Sequence, residues 1–277
     1  MINPQSAQAA ARLIDLDKIE TVLQEAAQAA AAVTLRLFRT PLAVENKWQV
    51  GFDPVTEADK EAEVAVRQII EAHFPDHGIV GEEWAQKDAA SPFTWIIDPI
   101  DGTRAFISGV PVWGTLIGLT HEGRALAGLM AQPFTGETFW SLPGKARYRR
   151  GGDLAPLGTS KVTELAHAKL TTTSPDLFRG ADREGPWQAI APRVLQVRYG
   201  LDCYGYCLMA MGQIDLVVEA GLKDVDIAPL IPIIENAGGV ITTWDGGPAE
   251  AGGNCVAAAT PELHAAALAV LQGRSPG

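Results

Sequence analysis

Cysteine is scarce in this chain: Cys203, Cys207 and Cys255 are the whole supply. An odd count, with the first two at i,i+4 spacing, reads as reduced thiols inside a core rather than as a disulfide framework, and so predicts a cytoplasmic setting. Long apolar runs are also missing. No stretch approaches the ~20 residues of a membrane span, and the N-terminus lacks a basic segment followed by an apolar one, so no membrane partner is expected. Basic residues are in deficit, 22 Lys+Arg against 33 Asp+Glu, for a net charge of −11. Such a field disfavours nucleic acid, and the dense basic run from Lys145 to Arg150 reads as a solvated loop or hairpin edge. An acidic chain can still take a phosphate ester when cations bridge the two.

Cofactor and nucleophile motifs are absent too. There is no GxxxxGK[ST] phosphate loop, no GxGxxG fingerprint and no GxSxG elbow, which argues against nucleotide cofactors and serine hydrolysis. His73 and His77 have i,i+4 spacing, but Pro75 lies between them and interrupts the helix that would align them. What is there is 277 residues, 47% hydrophobic and 20% charged, enough for one large domain or two modest ones with a core of their own.

Periodicity divides the chain into an α+β half and an α/β half. Ile19, Val22, Leu23, Ala26, Ala30, Val33 and Leu37 recur at helical spacing until Thr40-Pro41. A second helix starts at "TEADKEAEVAVRQIIEAHF", where Thr56 and Asp59 have capping-box spacing, and Pro75 closes it. Short strands follow at 77–83, 93–98, 113–120, 124–132 and 137–142, predicting a mostly antiparallel sheet with helices on one side. The Gly/Pro-rich stretch 143–158 is the expected boundary, giving halves of 1–145 and 155–277. Beyond it, strand and helix patterns alternate to the C-terminal "PELHAAALAVLQG". Pro232 falls inside the helix that should start at Asp226, which predicts a kink there.

The chemistry concentrates in "WIIDPIDGTRAF". Trp95-Ile96-Ile97 reads as a buried strand, Pro99 prevents its ladder from continuing, and Gly102 frees the backbone for a tight turn. Asp98 and Asp101 then emerge together, unless Asp101 merely caps the next element. Glu82 and Glu83 end another strand, and Asp226 opens a helix beside Asp224. Were these carboxylates to converge, each pair ~4 Å apart would repel by about 4 kcal/mol at an effective dielectric of ~20, a cost that a divalent cation removes. Hard oxygen donors without Cys or His select Mg²⁺, Mn²⁺ or Ca²⁺ over zinc.

Taken together, "DPVTEAD" (53–59), "GEE" (81–83), "DPIDGT" (98–103) and "DVDIAPLIPIIENAGG" (224–239) resemble the signature stretches of the inositol monophosphatase superfamily, in its order and over nearly the whole chain. Within it, "DPIDGTRAFISGVPVWGTLIGL" and "YGLDCYGYCLMAMGQIDLVVEAGLKDVD" look most like the histidinol-phosphatase branch. Simple inositol phosphatases usually carry Asn where this chain has Ala105, Trp-Asp where it has Val225-Asp226, and a small residue where it has Asp202.

The resemblance implies a layered αβαβα sandwich, a homodimer and a small phosphorylated substrate. It also implies two or three Mg²⁺ ions held by Glu82, Asp98, Asp101, Asp226 and the Ile100 carbonyl, which activate a water and grip the phosphate. By position, Asp59 and Thr103 would orient that water, the Gly102 and Thr103 amides would hold the phosphate, and Lys47 would approach the metal-bound waters. Asp202 and Glu219 match substrate-lining positions and suit the cationic groups of histidinol phosphate, although Asp202 would also serve as a helix cap. Arg104 would touch substrate or pair with a surface acid. Inositol 1-phosphate is the alternative substrate. A bisphosphate nucleotidase, a fructose-1,6-bisphosphatase and a non-catalytic binding protein of the same fold are the further alternatives.

Overall fold

Asp15 starts the first helix, its Oδ1 accepting from the Asp17 and Lys18 amides. Helix α1 (Leu16–Leu37) then buries Ile19, Val22, Leu23, Ala26, Ala30 and Leu37 along one face. The computed structural model describes residues 12–46, 54–180 and 182–274. Strands β1 (Glu45–Asn46) and β2 (Pro54–Val55) form a small antiparallel pair. Helix α2 (Glu57–His73) follows, with Thr56 and Asp59 closing the expected capping box.

Next come β3 (Gly78–Gly81), β4 (Phe93–Asp101), the short helix α3 (Thr103–Ile107), β5 (Gly114–His121), β6 (Arg124–Gln132), β7 (Glu137–Leu142), β8 (Lys145–Arg150) and β9 (Asp153–Pro156). The seven strands from β3 to β9 lie side by side in sequence order. Only β3 and β4 are parallel; the other neighbours pair antiparallel. The β5–β6 turn is made by Glu122 and Gly123, both at positive φ (49° and 75°), the pairing that matches the twist of its strands. The stretch 143–158, expected as a boundary, instead carries β8 and β9. Its glycines serve hairpin turns: Gly144 and Gly151 both take positive φ.

The second sheet has the order β11-β10-β12-β14-β13. Its members are β10 (Lys169–Thr172), β11 (Gln196–Tyr199), β12 (Leu216–Leu222), β13 (Val240–Thr243) and β14 (Gly253–Ala258). Strand β10 is parallel to both β11 and β12. The helices here are α4 (Glu184–Ile190), α5 (Asp202–Ala210), α6 (Asp224–Ile227), α7 (Ile231–Asn236) and α8 (Pro261–Leu271).

Side-chain alternation along the strands builds the layers. Trp95, Ile97 and Leu129 face α1 and α2 in one core. The opposite face of the same sheet, through Leu116, Met130 and Phe139, packs on α5 and α7 together with Val217, Ile241 and Ala257 of the second sheet. Leu170, Leu216 and Val218 point the other way, onto Trp187 and Ile190 of α4 and Leu263 and Ala267 of α8. The order is therefore helix, sheet, helix, sheet, helix, as expected. The prediction of helices on one side of the first sheet holds only for helices of its own half. Both of its faces are apolar, and the second half covers the other.

Two prolines behave differently from their sequence reading. Pro99 does not end β4: the register steps from Asp98↔Leu116 to Asp101↔Gly114, a bulge that takes up the residue lacking an N–H. Thr115 Oγ1 donates to the Pro99 carbonyl (2.8 Å) and fixes the bulge. Nor does Pro232 kink one helix. The helix is split into α6 and α7, with Pro232 in the first turn of α7, where no intrahelical donor is lost. The three cysteines are free and buried, and among the described residues no helix is long and apolar enough to cross a membrane.

Candidate active site

The β4 bulge aims two carboxylates at one place. Asp98 lies on the inner face of the sheet and is 2% exposed, its Oδ1 accepting from the Ile100 amide (3.0 Å). Asp101 follows three residues later, its Oδ2 accepting from the Cys203 amide at the start of α5 (2.7 Å). Asp226 arrives on α6 from the second half, held by the Lys223 amide (2.7 Å). Carboxylate oxygens of Asp98, Asp101 and Asp226 lie within 4.8 Å of one another. Asp101 does not cap the next element: α3 has Gly102 at its N-cap and no side-chain cap.

Electrostatics register the crowding. Burial, then the charges of Glu82, Asp101 and Asp226, raises the Asp98 carboxyl well above the usual carboxylate range. Burial, then Asp202 and Asp226, does the same to Asp101. Asp226 is pushed up to about 6, by burial first, partly offset by the Lys223 amide. All the side-chain donors are carboxylate oxygens, so the set fits a hard divalent cation rather than zinc.

Glu82 faces the same cavity but is not one of the close trio. Strand β3 pairs Gly81 with Ile97, so Glu82 follows the ladder at the level of Asp98. Its Oε1 accepts from Lys223 Nζ (2.8 Å). On the other flank, Thr103 Oγ1 donates to the Ile100 carbonyl (3.1 Å) and lies 3.4 Å from Asp59 Oδ1. Asp59 is fully buried, and its Oδ2 accepts from the Thr56 amide and hydroxyl (2.8 and 2.7 Å). One carboxylate therefore caps α2 with one oxygen and faces Thr103 with the other. Burial raises its pKa, the Thr56 hydrogen bonds opposing.

Glu82, Asp98, Ile100, Asp101, Gly102, Thr103, Arg104, Asp202, Glu219 and Asp226 all line one cavity of about 220 Å³. Lys47 lies outside the described residues. Gly102 takes φ 83°, and a β-carbon there would come 3.2 Å from Asp202 Cγ. Asp202 is itself at φ 46°, a left-handed conformation that Asp tolerates better than most residues. It caps nothing: α5 has no side-chain cap from its own N-cap residue, and the amide of its second residue, Cys203, goes to Asp101. Burial lifts Asp202 to about 6, opposed by a Thr173 hydrogen bond and the nearby charge of Arg104.

Alternation along β12 puts Glu219 on the same face as Val217. Its Oε1 accepts from Thr173 N and Oγ1 (2.6 and 3.0 Å), whereas the buried Oε2 has no hydrogen-bond partner among the described residues. Burial pushes this carboxyl up to about 8. Thr173 and Lys223 line the cavity without having been singled out in the sequence. Thr173 follows β10 and Asp202 lies just beyond β11, both at C-terminal ends of parallel strands, where open α/β sheets place their ligands. That topology, had the strand order been known, was the signal for Thr173.

Residues 15–275 match the profile of the inositol monophosphatase family. The chain is 38% identical over 269 residues to the bifunctional phosphatase IMPL2, chloroplastic, of Arabidopsis thaliana, covering 93% of this chain and 76% of that one. It is 36% identical over 223 residues to a histidinol-phosphatase of Chlorobaculum parvum (80% and 84%). Among solved structures, an inositol monophosphatase from Zymomonas mobilis superposes with a TM-score of 0.80 at 36% identity, covering 91% of this chain and 96% of that one. Since the family match spans every element that lines the cavity, from β2 to α6, the chain belongs to the inositol monophosphatase family.

Proposed function

We propose that the protein is a Mg²⁺-dependent phosphomonoesterase that hydrolyses histidinol phosphate. Glu82, Asp98, Asp101, Asp226 and the Ile100 carbonyl would hold the metal. Bound there, Mg²⁺ supplies Lewis-acid polarisation of the phosphoryl group and neutralises charge on the leaving oxygen. The Gly102 and Thr103 amides bind phosphate oxygens. Thr103 Oγ1 and Asp59 Oδ1 orient the attacking water, and the Asp59 carboxylate, made more basic by burial, takes its proton.

The observation that supports this substrate is the acidic wall beside the carboxylate trio. Asp202 and Glu219 face the same cavity, both near Thr173, and the second Glu219 oxygen is buried, with the Thr172 hydroxyl as a neighbour and no hydrogen bond to it of ordinary geometry among the described residues. A buried acceptor of that kind is costly unless a ligand donates to it. An ammonium or imidazolium also favours the charged form of the Asp202 and Glu219 carboxyls, which burial otherwise opposes; the neutral hydroxyls of a polyol donate without doing so.

Inositol 1-phosphate is the second reading, favoured by the likeness to the Zymomonas mobilis inositol monophosphatase. Side-by-side kcat/KM values for the two esters, with EDTA controls, discriminate them, because the ratio reports differential transition-state binding. A ratio favouring inositol 1-phosphate replaces the first reading with the second. Activity on neither ester in millimolar Mg²⁺ overturns both.

A further inference from the structure

Glu82 stands at a weak point of the scaffold. Strand β3 ends at Gly81, so sheet hydrogen bonding holds the chain up to Gly81 and no further. Lys223 Nζ reaches the Glu82 carboxylate itself (2.8 Å), while helix α2 holds the chain just after it. Glu63, one turn after Asp59 on that helix, is fully buried. Its Oε2 accepts from the Glu83 amide (2.7 Å), and its Oε1 accepts from Arg67 Nε (2.7 Å). Arg67 Nη2 donates onward to the Trp84 carbonyl (3.2 Å), and Trp84 Nε1 donates back to the Lys60 carbonyl (3.1 Å). Glu83 and Trp84 are thus stitched to α2 at three points.

The fit leaves no room at Gly81. A β-carbon there would lie 2.0 Å from Glu63 Oε1, and the three closest atoms it would meet all belong to the Glu63 carboxylate. Glycine is needed here for space, because the carboxylate fills the place of the missing side chain. An ordinary surface ion pair would not bury a carboxylate completely or divide its two oxygens between a guanidinium and a backbone amide.

Resting on the metal-dependent reading above, we propose that Glu63 is a positioning residue: through the Glu83 amide it fixes the Glu82 carboxylate relative to Asp98. It touches neither substrate nor metal. Helix α2 therefore serves the site twice, with Asp59 directly and with Glu63 through the loop after β3. Partners that orient a metal ligand typically contribute ten- to a hundredfold in metal affinity.

The test is direct Mn²⁺ binding, read as free Mn²⁺ by electron paramagnetic resonance, on the full chain and its variants. Glu63→Ala is expected to weaken Mn²⁺ binding at least about tenfold. Its KM for substrate at saturating metal should stay near the parent value. Glu63→Gln, which keeps an acceptor for the Glu83 amide, is expected to remain within about threefold of the parent. Gly81→Ala, which evicts the carboxylate without altering it, is expected to match Glu63→Ala, and the double variant to bind no worse than either single one. Mn²⁺ affinity unchanged within twofold in Glu63→Ala, or in Gly81→Ala should the former not fold, overturns the assignment and leaves Glu63 as a fold-stabilising ion pair. A parent protein that binds no Mn²⁺ overturns the metal-dependent reading and this proposal together.

Discussion

Gly128 on β6 meets Pro229 so closely that a β-carbon built on it would lie 1.8 Å from the Pro229 carbonyl oxygen. Pro229 occupies the break between α6 and α7, so this contact sets how near the Asp226-bearing segment comes to the first sheet. Gly128→Ala must push the break outward or bend β6. We expect a loss of roughly 1–3 kcal/mol, the usual cost of overpacking, together with a weaker requirement-specific fit for metal. Chemical denaturation and a Mg²⁺ activation curve on the same preparation check both effects.

The crowded trio makes an unusual prediction about stability. Carboxyls whose folded pKa is raised cost stability once the pH exceeds their unfolded values, and the cost grows until the folded pKa is passed. Asp98→Asn removes one charge from the cluster. The variant should therefore melt at a higher temperature than the parent in EDTA at pH 7.5. It should also gain less from added Mg²⁺ and lose about a hundredfold or more in turnover. Differential scanning calorimetry with and without metal measures the first two effects. Unchanged turnover would mean that the site is misassigned.

Glu219 gives a pH signature. Its carboxyl rises from an ordinary 4.5 to about 8 through burial. The native state thus holds a proton that the unfolded chain has already released, and stability falls as pH rises from about 4.5 to about 8. Glu219→Gln cannot ionise. Its melting temperature should match the parent's at pH 4.5 and exceed it by a margin that widens up to pH 8, then stays constant. At pH 8 its kcat/KM for histidinol phosphate should drop at least about tenfold, the scale of one lost charge-assisted hydrogen bond, with a smaller change for inositol 1-phosphate.

Thr103 tests the water-orienting pair. Thr103→Val keeps the shape but removes the hydroxyl that reaches Ile100 O and Asp59 Oδ1. Turnover should fall roughly 10²–10⁴-fold, the range for losing positioned acid–base assistance, while Thr103→Ser retains most of it. Steady-state kinetics should show the loss in kcat rather than KM.

Features written in adjacent residues were legible from the chain alone. Thr56 and Asp59 announced the start of α2, the short apolar runs at 124–132 and 137–142 marked β6 and β7 to the residue, and the spacing of Asp98 and Asp101 brought two acids to one point. Features made by distant contacts were not. Thr173 and Lys223 reach the cavity only because a second sheet is laid beside the first, and Glu63 reads in sequence as one more polar position on a helix. Pro99 and Pro232 were legible as disturbances, but their outcomes, a bulge and a helix break, depend on what packs against them. Stretch 143–158 shows a related limit: its turn residues mark the ends of β7, β8 and β9 alike, and only the last of these, at Pro156, is also the end of the sheet.

The 2.7 Å hydrogen bond from the Cys203 amide to Asp101 also makes the protein its own spectrometer probe. An amide proton held that tightly by a carboxylate resonates far downfield, and its shift follows the electron density left on Oδ2. Cation loading or protonation of Asp101 would move the Cys203 signal upfield in a nitrogen–proton correlation spectrum. Occupancy at the centre of the molecule can then be followed without substrate, label or turnover.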